Sequence, residues 1–148
     1  MKHLFIAALL ALPFSIKAQG SYDKKLADSL GADEYGMKKY VLAILKTGSF
    51  KTGDKKLADS LFRGHMNNIE RLVKEHKLVV AGPLGKNEKS YRGIFILSVP
   101  TVDEARALVE TDPAIKAKLF DVELYPWYGS AALPMYLDAS ERISKKSH

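Results

Sequence analysis

The chain has 148 residues, 47% of them apolar, no cysteine and a formal charge of +6. That length suits one domain with its own core rather than two, and the missing cysteine excludes disulfides, thiolate chemistry and a lipid-bearing cysteine. The lysine pairs Lys24-Lys25, Lys38-Lys39, Lys55-Lys56 and Lys145-Lys146 lie among Asp and Glu, the pattern of a solvated surface rather than of a nucleic-acid groove.

Residues 1 to 18 stand apart. A short basic start (Lys2, His3), an apolar run from Leu4 to Leu12, then Pro13 and Ala18 read as a secretory signal peptide, so the expected location is secreted or periplasmic. Ile16 is bulky for its place before a cut at Ala18, which leaves the cleavage position softer than the signal. A buried N-terminal helix or a membrane anchor is the alternative, but the run is short for a bilayer, and no later segment is long and apolar enough to cross one. Loss of Lys2 and Lys17 with this segment lowers the charge from +6 to +4.

Residues 19 to 37 form a polar lead with Gly20, Gly31 and Gly36 and a short helix near Lys24 to Leu30. The octapeptide from Asp23 to Leu30 recurs, residue for residue, from Asp54 to Leu61. Two copies are too few for a solenoid. Two similar helix starts is the preferred reading, and a duplicated partner-binding segment the alternative.

Residues 38 to 128 carry the fold. Tyr40 to Leu45 is an apolar run expected to be a first strand buried on both faces, ended by Lys46-Thr47-Gly48. From Asp54 onward, Leu57, Leu61, Ile69, Leu72 and Val73 recur at helical spacing and predict one buried stripe. His65 lies four residues after Leu61 and four before Ile69, inside that stripe. Leu78 to Ala81, closed by Gly82-Pro83, reads as a second strand, and the polar stretch from Gly82 to Ser90 as a long hairpin connection. Tyr91 to Val99 is the third strand, with Tyr91, Gly93, Phe95, Leu97 and Val99 on one side and Ile94 and Ile96 on the other. Thr101 followed three residues later by Glu104 is a capping box, so a second helix runs from Val102 to about Glu110. Thr111-Asp112-Pro113 ends it and can begin a short new turn. Phe120 to Tyr128 is the last strand, and Pro126 argues for an edge. Residues 129 to 148 are a tail with a helix around Tyr136 to Ile143.

Strand, helix, strand, strand, helix, strand is the ferredoxin-like βαββαβ order, an α+β fold with two helices on one face of a four-stranded antiparallel sheet. The first helix begins where the first strand ends, and the second helix ends where the last strand begins. Both points fall at one end of the sheet, so Asp112 can approach His65. The other sheet face is apolar and needs cover, for which a second subunit is expected.

On these residues the chain resembles the YCII family, small proteins related to YciI. The resemblance rests on His65 in a helix, then Leu78-Val79-Val80-Ala81-Gly82-Pro83, a strand, Ala105 in a second helix, and Asp112-Pro113 before the last strand. It implies a dimeric α/β barrel and a His and Asp active-site pair, carried here onto His65 and Asp112. One branch of the family eliminates chloride from a chlorinated hydroxyquinol. The leader, the polar lead and the tail from Tyr125-Pro126-Trp127-Tyr128 depart from the short family pattern and bear on the reaction more than on the fold.

An imidazole titrates near neutrality, and a neighbouring carboxylate holds its tautomer, which suits His65 to acid–base work. A core-edge histidine bonded to a backbone carbonyl is the alternative. Asp112 before Pro113 is also the expected N-cap of a short helix, a role compatible with facing an imidazole. Tyr40, Tyr91 and Trp127, with Tyr125 and Tyr128, suit an aromatic substrate pocket, or else simply pack a sheet or interface. His76 lies ~16 Å along a helix from His65 at ~1.5 Å per residue, so the two cannot share a metal within one chain. No metal and no cofactor is expected. Gly82-Pro83-Leu84-Gly85-Lys86 lacks the spacing of a phosphate loop and a Ser or Thr after the lysine, and Lys46-Thr47-Gly48 lacks the partner motifs of a serine β-lactamase; both read as turns. The expected function is cofactor-free acid–base chemistry of lyase or isomerase type on a small aromatic or hydroxylated molecule. A non-catalytic small-molecule-binding or structural dimer is the alternative.

Overall fold

In this computed structural model residues 21–145 are described, and the signal peptide expected at residues 1–18 lies outside them. In chain order the elements are α1 (Lys24–Leu30), β1 (Met37–Thr47), α2 (Lys55–Lys74), β2 (Leu78–Pro83), β3 (Tyr91–Leu97), α3 (Val102–Val109), α4 (Pro113–Lys116), β4 (Phe120–Ser130), a 3-10 turn (Leu133–Tyr136) and α5 (Leu137–Ile143). The strands form one antiparallel sheet in the order β2-β3-β1-β4. This is the ferredoxin-like βαββαβ arrangement with a lead before it and a tail after it.

Alternation along β1 sets the core. Val41, Ala43 and Leu45 point to the helix-covered face with Phe95, Leu97 and Phe120, and there they meet Leu72 of α2 and Ala105 and Val109 of α3. Leu72 has no exposed surface; truncating it to alanine would cost about 2–5 kcal/mol. β1 and β4 are longer than the apolar runs suggest. They pair along their whole length, from Met37 opposite Ser130 to Thr47 opposite Phe120, because backbone pairing continues past the last apolar residue. Pro126 sits on the outer strand β4, where a missing N–H costs no ladder bond.

Two local expectations change. The stripe on α2 becomes buried at His65, Asn68 and Leu72, whereas Leu57 is 43% exposed and Phe62 53%. Periodicity gives the face of a helix but not where its partner surface stops, and the first turns of α2 overhang it. The register also slips between Leu45 and Lys46, so that Tyr91 pairs with Lys46 rather than continuing the Gly93, Phe95, Leu97 side. That irregularity puts Tyr91 near Lys46 and Tyr125.

Both copies of the octapeptide are helix starts. Asp23 caps α1 by accepting from Leu26 N at 3.0 Å, and Asp54 caps α2 by accepting from Lys56 N at 2.9 Å. Each copy repeats the same exposed Lys to Asp pair one turn on, Lys24 with Asp28 and Lys55 with Asp59.

The face of the sheet away from α2 and α3 carries Leu42, Ile44, Ile94 and Ile96, all half-buried, beside a 2.7 Å ion pair between Lys46 and Glu123. Lead and tail meet near the start of β1. The Ala131 N–H donates to Gly36 O at 2.9 Å and the Tyr128 hydroxyl bonds Asp33, while further along the tail the Tyr136 hydroxyl donates to Val79 O of β2 at 2.5 Å. Among the described residues no helix is long and apolar enough to cross a membrane.

Candidate functional site

Asp112 follows the last turn of α3, and Pro113 opens α4. Its Oδ1 accepts the Ala114 N–H at 2.8 Å, the N-cap that the Asp-Pro pair predicts. That bond leaves Oδ2 free to face α2. Gly64 lets the corner close: a β-carbon there would stand 2.9 Å from Pro113 Cγ and 3.2 Å from its Cβ, so the missing side chain is what admits the proline ring. The neighbouring His65 then meets Asp112, with Nδ1 to Oδ2 at 2.6 Å. Asp112 has no exposed surface and His65 keeps 6%.

A carboxylate that is ionised only accepts hydrogen bonds, so Nδ1 of His65 is the donor. The lone pair of a neutral ring is therefore on Nε2, which has no protein hydrogen-bond partner among the described residues and is not among their fully buried unpaired atoms. Phenylalanines wall the ring. Phe120 lies 5.1 Å away centroid to centroid, Phe95 stacks at 5.9 Å, and the exposed Phe62 stands at 6.1 Å. The apolar walls keep dielectric low around the pair, which strengthens its electrostatics.

One turn after His65, Asn68 is 7% exposed. Its Oδ1 accepts from Arg71 Nη2 at 2.8 Å and lies 3.0 Å from Thr111 Oγ1, and its Nδ2 is the buried side-chain polar atom without a partner among the described residues. Arg71 Nη2 also lies 2.8 Å from Thr111 Oγ1. A polar residue in a slot of the apolar stripe was the sequence signal for Asn68, and a glycine in mid-helix, a poor helix former, was the signal for Gly64. Arg71 and Thr111 carried none, since their partners are set by the packing of α2 against the α3–α4 corner.

His65 and Asp112 are brought together as their order along the chain allows, and His65 bonds a carboxylate rather than a backbone carbonyl. The aromatic candidates lie elsewhere. Tyr40 has no exposed surface; its ring packs 5.5 Å from Trp127 and its hydroxyl donates to Ser130 O at 2.8 Å. Trp127 in turn lies across Gly129, where a β-carbon would fall 2.3 Å from the indole ring. Tyr91 stands with Lys46 on the sheet, and its ring is 5.8 Å from the Lys89 ammonium. No group of three or more His, Cys, Asp or Glu among the described residues is arranged to hold a metal. A hollow of about 310 Å³ between α3, α4 and β4 shares Phe120 with the surround of the histidine, but neither His65 nor Asp112 lines it.

The model of one protein family, the YCII-related domain, matches residues 39–128. Among solved structures, the 5-chloro-2-hydroxyhydroquinone dehydrochlorinase of Burkholderia phenoliruptrix AC1100, in complex with 2,5-dihydroxybenzoquinone, is 26% identical. That match covers 59% of this chain and 92% of the other, with a TM-score of 0.42. No curated protein matches the chain.

Proposed function

This chain belongs to the YCII-related domain family, and from that premise we propose that it is a cofactor-free acid–base enzyme of lyase or isomerase type, with His65 and Asp112 as its working pair. The observation that carries the reading is the 2.6 Å contact between two buried groups of complementary role, an imidazole and a carboxylate. Asp112 holds the ring in the tautomer with a free Nε2. That nitrogen takes a proton from the substrate, Asp112 stabilises the imidazolium that forms, and the proton returns to another substrate atom or to the leaving group. General acid–base catalysis of this kind contributes about 10²–10⁴-fold. Phe62, Phe95 and Phe120 favour a small aromatic or hydroxylated substrate.

Two further parts of the proposal rest on other residues. The apolar face of Leu42, Ile44, Ile94 and Ile96 supports a homodimer in which a second copy covers it. The apolar run from Leu4 to Leu12 supports export to the periplasm or the medium. A second reading, a non-catalytic binding or structural dimer, is favoured by one observation: in the single chain no described hollow is lined by the pair.

The test is a screen of hydroxylated and halogenated aromatic compounds for turnover by wild type, His65→Ala and Asp112→Asn. Turnover that both substitutions abolish, with folding intact, supports the enzyme. A His65→Ala protein that keeps full turnover, or that loses only its melting temperature, overturns it.

A further inference from the structure

The α3–α4 corner is tied to α2 twice. Besides the contact of His65 with Asp112, the Thr111 hydroxyl, one residue before Asp112, accepts from Arg71 Nη2, the same nitrogen that donates to Asn68 Oδ1 one helical turn beyond His65. A guanidinium only donates, so Arg71 fixes the amide of Asn68 with its oxygen toward Nη2 and makes the Thr111 hydroxyl an acceptor. The hydroxyl proton then has the Leu108 carbonyl at 2.6 Å, which locks Thr111 to the last turn of α3. Arg71 is held from behind, with Nη1 2.8 Å from both carboxylate oxygens of Glu75. The corner is therefore clamped on one flank by Thr111 and on the other by Pro113 against Gly64, with Asp112 between them.

We propose that Thr111, Asn68 and Arg71 are positioning residues for the pair: they hold the Asp112 carboxylate at bonding distance from His65 Nδ1 and so maintain the tautomer with Nε2 free. The N-cap bond to Ala114 fixes Asp112 relative to α4, not relative to α2. The hydroxyl bridge supplies that second restraint. A shift of about 1 Å at the corner would carry a 2.6 Å contact beyond hydrogen-bond length, a displacement of the size that costs about 10²-fold in rate at an active site. As a statement about catalysis the inference rests on the acid–base reading of His65; as a statement about geometry it does not.

The test needs no ligand. In the full chain, the low-field Nδ1–H proton of His65 and its ring ¹⁵N shifts report tautomer and bond directly, and Asp112→Asn is the control that alters them. Thr111→Val, which keeps shape and removes the hydroxyl, is expected to speed exchange of that proton with water at least about tenfold and to mix the tautomers. Thr111→Ser is expected to restore the wild-type signature. A folded Thr111→Val with an unchanged Nδ1–H signal overturns the proposal, as does Thr111→Ser failing to restore it. Should Thr111→Val not fold, Arg71→Ala removes the bridge from its exposed end, and the same outcomes decide. The proposed reaction fails separately: a perturbed signal in Thr111→Val together with full turnover in His65→Ala would leave the clamp standing and remove the enzyme.

Discussion

His65 Nδ1 and Asp112 Oδ2 lie 2.6 Å apart although 47 residues separate them in the chain. The two ends of that contact are prepared differently. His65 is placed by the periodicity of α2, while Asp112 is placed by its own cap on α4 and by a proline ring resting on Gly64. Helix, cap and close approach together give a buried imidazole–carboxylate contact without any residue in an unusual backbone state at His65 or Asp112.

The two roles of Asp112 separate by substitution. Asn caps a helix about as well as Asp, so Asp112→Asn is expected to keep the bond to Ala114 and lose stability by no more than about 1 kcal/mol, while turnover falls about 10²–10⁴-fold. Asp112→Ala loses the cap and leaves the histidine unpaired, and is expected to cost about 2–4 kcal/mol in urea unfolding.

Gly64→Ala sets helix propensity against packing. Alanine favours an exposed helix by about 1 kcal/mol over glycine. Here the added carbon meets Pro113 at 2.9 Å, and overpacking costs about 1–3 kcal/mol. The expected outcome is no gain in melting temperature and a weakened His65 Nδ1–H signal, since the shifted proline carries Asp112 with it. Calorimetry and the same nuclear resonance measurement check it.

Acid and base act on the Lys46 to Glu123 pair from opposite sides. The hydrogen bond from Lys46, then one from Tyr125, holds the Glu123 carboxyl below its ordinary 4.5, and the bond to Glu123 lifts Lys46 above 10.5. A lowered acid contributes stability that is present above 4.5 and lost as pH falls through its folded value; a raised lysine contributes stability that is present below 10.5 and lost as pH rises through its folded value. Both side chains are about one-third exposed, which keeps the effect modest. The difference in melting temperature between wild type and Glu123→Gln is expected to be steady from about pH 5 to 10 and to shrink outside that window.

One of the bonds that dock the tail is a hydroxyl that is easily removed. Tyr136→Phe deletes the bond to Val79 O and is expected to cost about 0.5–1 kcal/mol locally. Limited proteolysis should then cut around Leu133 to Ile143 sooner than in wild type, with the rest of the domain unchanged.

Should a second copy cover the open sheet face, Ile94→Glu places a charge in its centre while leaving the helix-side core untouched. Sedimentation velocity is then expected to show a monomer with wild-type circular dichroism. A dimer that persists would move the interface elsewhere.

Much of this was legible in the chain, for reasons that can be named. The capping box at Thr101, the helix start at Asp54, the strand at Tyr40 to Leu45 and the Asp112-Pro113 cap each depend on residues within a few positions of one another, and each appears where local chemistry puts it. Element order alone allowed His65 and Asp112 to meet. The aromatic residues fared differently. Tyr40 and Trp127 are spent on each other, and one register slip at Leu45 and Lys46 sets Tyr91 beside Lys46; neither outcome has a local signature.

What the amino-acid order determined by itself is the set of elements, their caps and the placing of an imidazole on a buried helical stripe, because those follow from spacing of 3.6 and 2 residues and from side chains bonding nearby backbone. What the tertiary structure decided is the 2.6 Å contact, the fit of Pro113 on Gly64, the bridge from Arg71 to Thr111, and the exposure of Leu57 beyond the end of the core. Each of these depends on how two surfaces far apart in the chain come to rest, and a shift of about an ångström, invisible in any sequence pattern, separates a hydrogen bond from none.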